Sequence, residues 1–353
     1  MKILFLSKDF SFNGGGERML CNLANELASN HEITVISFDK SDREILFVLK
    51  ENIKFIKADI QSRKINFFTK FDYIAYLRNN KTELNGFDVV VGVGIVCNLI
   101  LAAISSKISA TCIAWEHCSY RGIPFWQQML RRILFPKVNK VVCLTYEDLP
   151  RYKKINPNSS VIYNFTCMTF RVAPMLENKR FIYVGRLSHL KGFDYLLNCM
   201  GEFIKRNIEW SFEIIGDGEY ADKLNAFMKL PEAKNRIRYI KSSSEVQKEL
   251  EQSSCMIMMS RHEGLPMVLI EAQVCGLPVI SFDTETGPNE IIVDNKSGFL
   301  IQKNDEEKFI EKMLRIANEE ELLESFSGEA ILQSKKFSKD AIIPQWEDLL
   351  SNC

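Results

Sequence analysis

"RHEGLPMVLIEAQVCGLPVI", residues Arg261 to Ile280, sets two glutamates, Glu263 and Glu271, eight positions apart around a Gly-Leu-Pro turn. Proline suits the first position of a helix, where its missing N–H has no intrahelical partner to lose. The pattern therefore starts a helix at Pro266, leaves Glu263 in the loop ahead, and puts Glu271 about 7.5 Å along the axis. The free N–H groups of Gly264, Leu265 and Met267 then point toward an anion with a carboxylate on either side. Such a site suits a sugar nucleotide, with hydroxyls at the carboxylates and phosphates at the amides between them. The plain alternative makes Glu271 an ordinary exposed helix residue.

The stretch lies between two apolar runs, Cys255–Met259 and Val279–Phe282, that read as strands. Phe181–Val184, Phe212–Ile215, Ile237–Ile240 and Phe299–Ile301 extend the series, with helical patterns between most of them. The first half carries the same alternation. Its strands are Ile3–Leu6, Ile33–Phe38, Val89–Val93, Cys112–Trp115, Val141–Leu144 and Val161–Tyr163. Helix Arg18–Ala28 places Met19, Leu20, Leu23 and Leu27 on one face. The fold class is α/β, two Rossmann-like domains in tandem. Domain one spans 1–172 and domain two 173–335, joined by the polar, Pro-containing "RVAPMLENKR" near 171–180. Everything from Asp305 reads as helical, and a last amphipathic piece within 336–353 is placed to pack back on the first domain.

At 353 residues and 46% hydrophobic, the chain exceeds one compact domain. Net charge is zero, yet residues 1–172 hold 23 bases against 15 acids and the remainder 22 against 30. A basic half of this kind often meets an anionic surface or ligand. Ten scattered cysteines with no C-x-x-C pair argue against a disulfide framework or zinc site and for the reducing cytoplasm. The N-terminal "MKILFLSKDF" is too short for a signal peptide and reads as a strand. The apolar run Val89–Ser106, with its Gly and Asn interruptions, reads as a buried strand and helix. No basic recognition helix or finger supports a nucleic-acid partner.

In doubly wound sheets ligands bind beyond the carboxyl ends of the strands, so the loops there are the candidates. "NGGGERML" puts Gly14, Gly15 and Gly16 ahead of a helix, where backbone amides can approach an anion. It is not a G-x-G-x-x-G fingerprint, since Met19 holds the third glycine position. Asp39, after the second strand, could still imitate the ribose-binding acid of a nicotinamide site, and a tight turn with no ligand is the other alternative. "IAWEHCSYRG" sets Glu116 and His117 directly after a central strand, where an imidazole can hold either charge state. A structural histidine is the alternative there. "GRLSHLKG" places Arg186 and Lys191 five apart across a loop, able to converge on a diphosphate or to be solvated surface charge.

Taken together and in order, "GRLSHLKG", "EGLPMVLIEA", "GLPVI" and "TGPNEII" resemble the retaining glycosyltransferases of family 4, over essentially the whole chain. The resemblance implies the GT-B fold, with the two domains facing across a cleft, acceptor in the first and nucleotide-sugar donor in the second. It implies that Glu263 faces the donor sugar, Glu271 the ribose, and Arg186 and Lys191 the diphosphate. Gly264, Leu265, Pro266 and Met267 would line the donor, Gly14 to Gly16 the reaction centre, and His117 the transferred sugar. His117 and Glu263 are the catalytic candidates. No cofactor and no metal are expected. "EHCSY" and "TGPNEII" are similar to bacterial enzymes that add hexose or N-acetylhexosamine from UDP to a polyprenyl-diphosphate-linked glycan in O-antigen, capsule or lipopolysaccharide synthesis. "FWQQMLRRILFPKVNK" alternates Phe125, Trp126, Met129, Ile133 and Leu134 with Arg131, Arg132, Lys137 and Lys140. Such a helix can lie on an anionic bilayer at the inner face of the plasma membrane, or pack on its own sheet with a basic outer face. A sugar-nucleotide epimerase of the same architecture and a catalytically silent binding member are the competing functions.

Overall fold

A computed structural model describes residues 1–11, 14–38, 47–58, 69–169 and 176–353. Asn13, Asp39 and the stretch 171–175 of the expected linker lie outside the described residues. The chain divides into two compact units, Met1–Phe165 with Lys339–Cys353, and Thr166–Ser338. The boundaries fall at 165/166 and 338/339, against the 172/173 and 335/336 read from sequence. The last helix, Lys339–Ser351, is part of the first unit.

The first unit is built on seven parallel strands: β1 (Lys2–Ser7), β2 (Glu32–Ser37), β3 (Lys54–Lys57), β4 (Val89–Val93), β5 (Thr111–Trp115), β6 (Lys140–Cys143) and β7 (Ser159–Val161). Their order is β3-β2-β1-β4-β5-β6-β7. Central strands read as unbroken apolar runs because helices cover both faces; after its first residue β1 is buried throughout. The run Val89–Ser106 divides into β4 and the helix Gly94–Ile104, whose Leu99, Ile100 and Leu101 are buried in the core. No helix among the described residues is long and apolar enough to cross a membrane. Helix Lys339–Ser351 brings Trp346 edge-on to Trp115 with ring centroids 5.0 Å apart, and Glu347 to His31 at 2.7 Å.

The second unit holds six parallel strands: β8 (Arg180–Val184), β9 (Ser211–Ile215), β10 (Ile237–Ile240), β11 (Cys255–Met258), β12 (Val279–Asp283) and β13 (Gly298–Gln302). They run in the order β10-β9-β8-β11-β12-β13. Helix Phe193–Arg206 buries Phe193, Leu196, Cys199, Met200, Phe203 and Ile204, the spacing of a single helical face. Both halves are thus Rossmann-like, and in each the strand order reverses once, between β1 and β4 and between β8 and β11.

Three local readings are corrected. The first helix runs Gly15–Leu27, so Gly15 and Gly16 lie inside its first turn. Pro266 is the residue ahead of helix Met267–Val274, and its extended conformation (ψ 99°) keeps it out of the helix proper. In helix Phe125–Leu134, Arg131 does not face outward: it is fully buried, while Phe125, Trp126, Met129 and Ile133 are exposed.

Candidate active site

In the second unit the loops after β8 and β11 leave the same end of neighbouring strands at the point where the order reverses. Gly192 closes the first loop in the left-handed region (φ 65°), and a Cβ there would stand 1.8 Å from the carbonyl oxygen of Met259. Only glycine permits that approach, which presses the two loops together. Lys191, one residue earlier, donates through Nζ to Glu263 Oε1 at 2.6 Å. Lys191 is one-third exposed and Glu263 largely buried. Arg186 is exposed and has no carboxylate partner among the described residues; the Tyr183 hydroxyl donates to its carbonyl at 2.9 Å.

Arg261 ties the same loops from the side. Its backbone N–H donates to Leu190 O at 2.9 Å, and its guanidinium forks onto both oxygens of Asp194 at 2.7 and 2.6 Å. It also stacks 4.0 Å from the Tyr195 ring centroid. The hydrogen bonds from Arg261 hold the Asp194 carboxyl below its usual range. A third loop, after β12, supports the turn at Glu263. Thr286 Oγ1 donates to the Glu263 carbonyl at 2.7 Å, and a Cβ on Gly287 (φ 101°) would lie 2.4 Å from Gly264 O and 2.6 Å from Pro266 Cδ. These contacts fix Gly264, Leu265 and Pro266 ahead of helix Met267–Val274; the Leu269 amide donates to Pro266 O at 3.0 Å, which leaves those of Met267 and Val268 without an intrahelical carbonyl. Glu271, fifth residue of that helix, is 5% exposed, which removes the reading of it as an ordinary surface glutamate. The structure therefore gathers Lys191, Glu263 and the turn 264–267 into one assembly. Arg261, Asp194, Thr286 and Gly287 hold it in place, and the sequence reading gave them no role.

In the first unit Gly14 precedes helix Gly15–Leu27 in extended conformation. The strands β1 and β5 flank β4, so the loops that follow them meet over its carboxyl end. A Cβ on Gly16 would stand 3.5 Å from His117 Cγ, ordinary contact, so the imidazole packs directly on the glycine. The Trp115 ring centroid lies 4.3 Å away from it. His117 Nε2 is buried with no hydrogen-bond partner among the described residues, and burial pushes the imidazole down to about 3. Burial thus disfavours the charged form of the ring.

Beneath His117 lies a buried ionic cluster. Glu116 accepts from Asn98 Nδ2 at 2.5 Å and from the Tyr152 hydroxyl at 3.0 Å, and stands 3.5 Å from Arg131 Nη1. Arg131 also donates to Tyr152 at 3.0 Å and stacks 3.7 Å from the Tyr120 ring centroid. Burial pushes the Glu116 carboxyl up, against the pull of Arg131 and its hydrogen-bond donors. This cluster explains why Arg131 turns inward: a buried carboxylate needs a paired cation.

Comparison with known proteins places these loops in context. Residues 170–333 match the family described as "Glycosyl transferases group 1". The amylovoran biosynthesis glycosyltransferase AmsD of Erwinia amylovora is 26% identical over 359 residues, 99% of each chain. A Campylobacter jejuni N-acetylgalactosaminyltransferase, named for a diNAcBac-PP-undecaprenol-linked acceptor, is 26% identical over 365 residues, 99% of this chain and 98% of that one. Among solved structures, Anabaena HepE in complex with UDP and glucose superposes with a TM-score of 0.82 over 100% of both chains at 16% identity, a likeness of fold. The assembly around Glu263 and Glu271 thus lies within a glycosyl transferases group 1 region, and the chain is a glycosyltransferase with the GT-B fold.

Proposed function

We propose that the chain is a retaining, family 4 type glycosyltransferase that moves a hexose or N-acetylhexosamine from a UDP-sugar to a polyprenyl-diphosphate-linked glycan during bacterial surface-polysaccharide synthesis. The observation that carries this reading is the assembly of Lys191, Glu263, the turn 264–267 and buried Glu271 at the reversal point of the second sheet. The diphosphate is bound by Arg186, Lys191 and the free amides ahead of helix Met267–Val274, with Glu271 on the ribose and Glu263 on the transferred sugar. Those cations and dipoles stabilise the charge that develops on the departing diphosphate, so turnover needs no metal. The acceptor hydroxyl attacks the face from which the diphosphate leaves, and no pair of flanking carboxylates acts as it does in a retaining glycosidase. Neutral His117, packed on Gly16, offers a hydrogen bond to the sugar. The likeness to HepE, solved with UDP and glucose, supports the donor class, and the Campylobacter relative supports a lipid-linked acceptor. Work on such an acceptor belongs at the cytoplasmic face of the plasma membrane.

Thermal unfolding with UDP, GDP, ADP and their sugars, in excess chelator, tests the donor half of this reading. A ligand at a hundred times its dissociation constant adds about 2.7 kcal/mol to stability. The expected result is a shift with UDP and a larger one with a single UDP-sugar; no shift with any of the panel overturns the assignment of the site.

A further inference from the structure

All six strands of the second sheet are parallel, so the residues that lead into β8 and β9 lie at the opposite end from the loops that carry Lys191 and Glu263. At that amino end a groove of about 620 Å³ lies between those residues and the helices Glu306–Asn318 and Glu320–Ser334. Its apolar lining comes from Leu176, Trp210, Ile316, Leu323 and Ile331. Next to the lining residues in the chain stand Ile208, 84% exposed, and Leu332, 57% exposed. Large apolar groups left in water beside an apolar groove mark an interaction surface. The volume is that of a ligand site.

The charge of the lining limits the occupant. Four glutamates, Glu177, Glu209, Glu320 and Glu324, share the groove with one base, Lys179. Lys179 is paired with Glu209, which leaves Glu177, Glu320 and Glu324 without an ion-pair partner among the described residues. Cations are favoured at such a surface. A second observation is independent of charge. Trp210 is 2% exposed, and its indole Nε1 is buried with no hydrogen-bond partner among the described residues. The rest of the residue is held: its carbonyl accepts from Arg236 Nε at 3.0 Å, and its ring packs on Phe181 with centroids 4.5 Å apart. A buried donor without an acceptor is rare and costly. A simple polyamine brings cations but no acceptor, because an ammonium only donates. A peptide brings carbonyl oxygens, basic side chains and apolar ones together.

We propose that this groove is the docking site for a segment of a partner protein in which Lys or Arg alternates with apolar residues. The basic side chains of that segment meet Glu177, Glu320 and Glu324, its apolar ones cover Leu176, Ile208 and Leu332, and one of its backbone carbonyls accepts from Trp210 Nε1. The groove and the loops of the candidate active site are at opposite ends of one sheet, so the partner holds the enzyme while the donor site stays open. The inference goes beyond the donor assignment and does not depend on it.

The test is titration calorimetry of the full chain at low ionic strength with acetyl-Lys-Leu-Lys-Leu-Lys-amide, with acetyl-Glu-Leu-Glu-Leu-Glu-amide and spermidine as controls. Binding of the basic peptide, none of the acidic one, and spermidine weaker by about tenfold are expected. The chain has four tryptophans, so its nitrogen-labelled indole spectrum holds four N–H signals and Trp210→Phe identifies one; that signal should move downfield when the basic peptide supplies an acceptor. Glu177→Gln/Glu324→Gln removes two carboxylates, and an exposed ion pair is worth up to about fivefold. The double variant should therefore bind the peptide about tenfold more weakly at the wild-type melting temperature. Ile208→Ser/Leu332→Ser should weaken the peptide by about tenfold and leave spermidine unchanged. Spermidine binding as tightly as the peptide overturns the proposal, because charge alone then accounts for it. So do equal peptide affinity in wild type and Glu177→Gln/Glu324→Gln, and a Trp210 signal that stays in place. A dimer in sedimentation velocity that Ile208→Ser/Leu332→Ser dissociates overturns it too, since the groove then receives a second copy of the chain. The UDP-induced shift in unfolding should be the same with the peptide bound, and its loss on peptide binding overturns the separation of the two sites.

Discussion

Replacing Lys191 with Met separates electrostatic preparation for a diphosphate from a merely local strut. At 2.6 Å from Glu263, opposite unit charges attract by about 6 kcal/mol at an effective dielectric of about 20. Desolvation of the largely buried carboxylate offsets most of this, and a net coupling of about 1–3 kcal/mol is expected in the unliganded chain. Met keeps most of the apolar stem and deletes the charge, which leaves Glu263 as an uncompensated anion beside the turn 264–267. A diphosphate arriving there has lost one cation and gained one repulsive neighbour. At about tenfold, or 1.4 kcal/mol, for each effect, UDP affinity should fall about a hundredfold. Lys191→Met/Glu263→Gln removes the repulsion and should recover about tenfold of that. Titration calorimetry with UDP at fixed ionic strength reads the affinities, and urea unfolding of the four proteins reads the coupling. A double variant that binds UDP no better than Lys191→Met would show that Glu263 is not felt at the diphosphate. Equal affinity in wild type and Lys191→Met would remove the lysine from the site altogether.

Two further perturbations follow from the geometry. Gly287→Ala puts a Cβ 2.4 Å from Gly264 O at φ 101°; it should cost about 2–3 kcal/mol and, by displacing the turn at Glu263, also weaken UDP binding, whereas Gly15→Ala meets nothing within 4 Å and should leave stability unchanged or raised by up to about 1 kcal/mol in the same melts. His117 resists protonation down to about pH 3, against 6.5 for the free imidazole. Between those values the unfolded chain binds a proton that the folded chain refuses, so this group's contribution to stability is whole above pH 6.5 and is lost as pH falls, by up to about 1.4 kcal/mol per pH unit. Urea melts across that window should show a shallower slope for His117→Asn, and an unchanged slope would mean that the ring is charged in the folded state.

Elements that bury both faces of a parallel sheet were legible because they leave unbroken apolar runs, as in β1, β4 and β12. Strand β3 was not: "KFIK" has two apolar residues between lysines, and it forms because an edge position on β2 offers it backbone partners. The turn around Glu263 was legible from local chemistry, since Gly-Leu-Pro ahead of an apolar helix announces itself. Its supports were not, because Arg261 meets Asp194 across 67 positions and Lys191 meets Glu263 across 72, distances over which spacing says nothing. Helix Phe125–Leu134 shows a further limit. An alternation of apolar and basic residues reveals two faces, but only the partner beneath decides which one is buried, and Glu116 draws Arg131 inward. His117 is the same lesson in electrostatics: its position could be read, while its charge state follows from what packs around it.

The two units stabilise their loops by different physics, and this bears on how each can work. In the second, Gly192 rests on the Met259 backbone and Gly287 on the Gly264 carbonyl and the rigid Pro266 ring, so the turn at Glu263 is set to within the tolerance of hard contacts. Charge there is closed on itself: Lys191 pairs with Glu263, while exposed Arg186 has no carboxylate partner among the described residues. On the donor-site reading, a sugar hydroxyl that donates to Glu263 replaces the hydrogen bond from Lys191 and frees the ammonium for the phosphate. Sugar and diphosphate then assist one another's binding through a single carboxylate, so a nucleotide alone engages the site only in part. In the first unit His117 follows directly on Glu116, whose buried carboxylate is met by Asn98, Tyr152 and Arg131. The imidazole itself rests on Gly16 and Trp115, and burial holds it neutral, which on the proposed reading is what a hydrogen-bonding group at a reacting sugar requires.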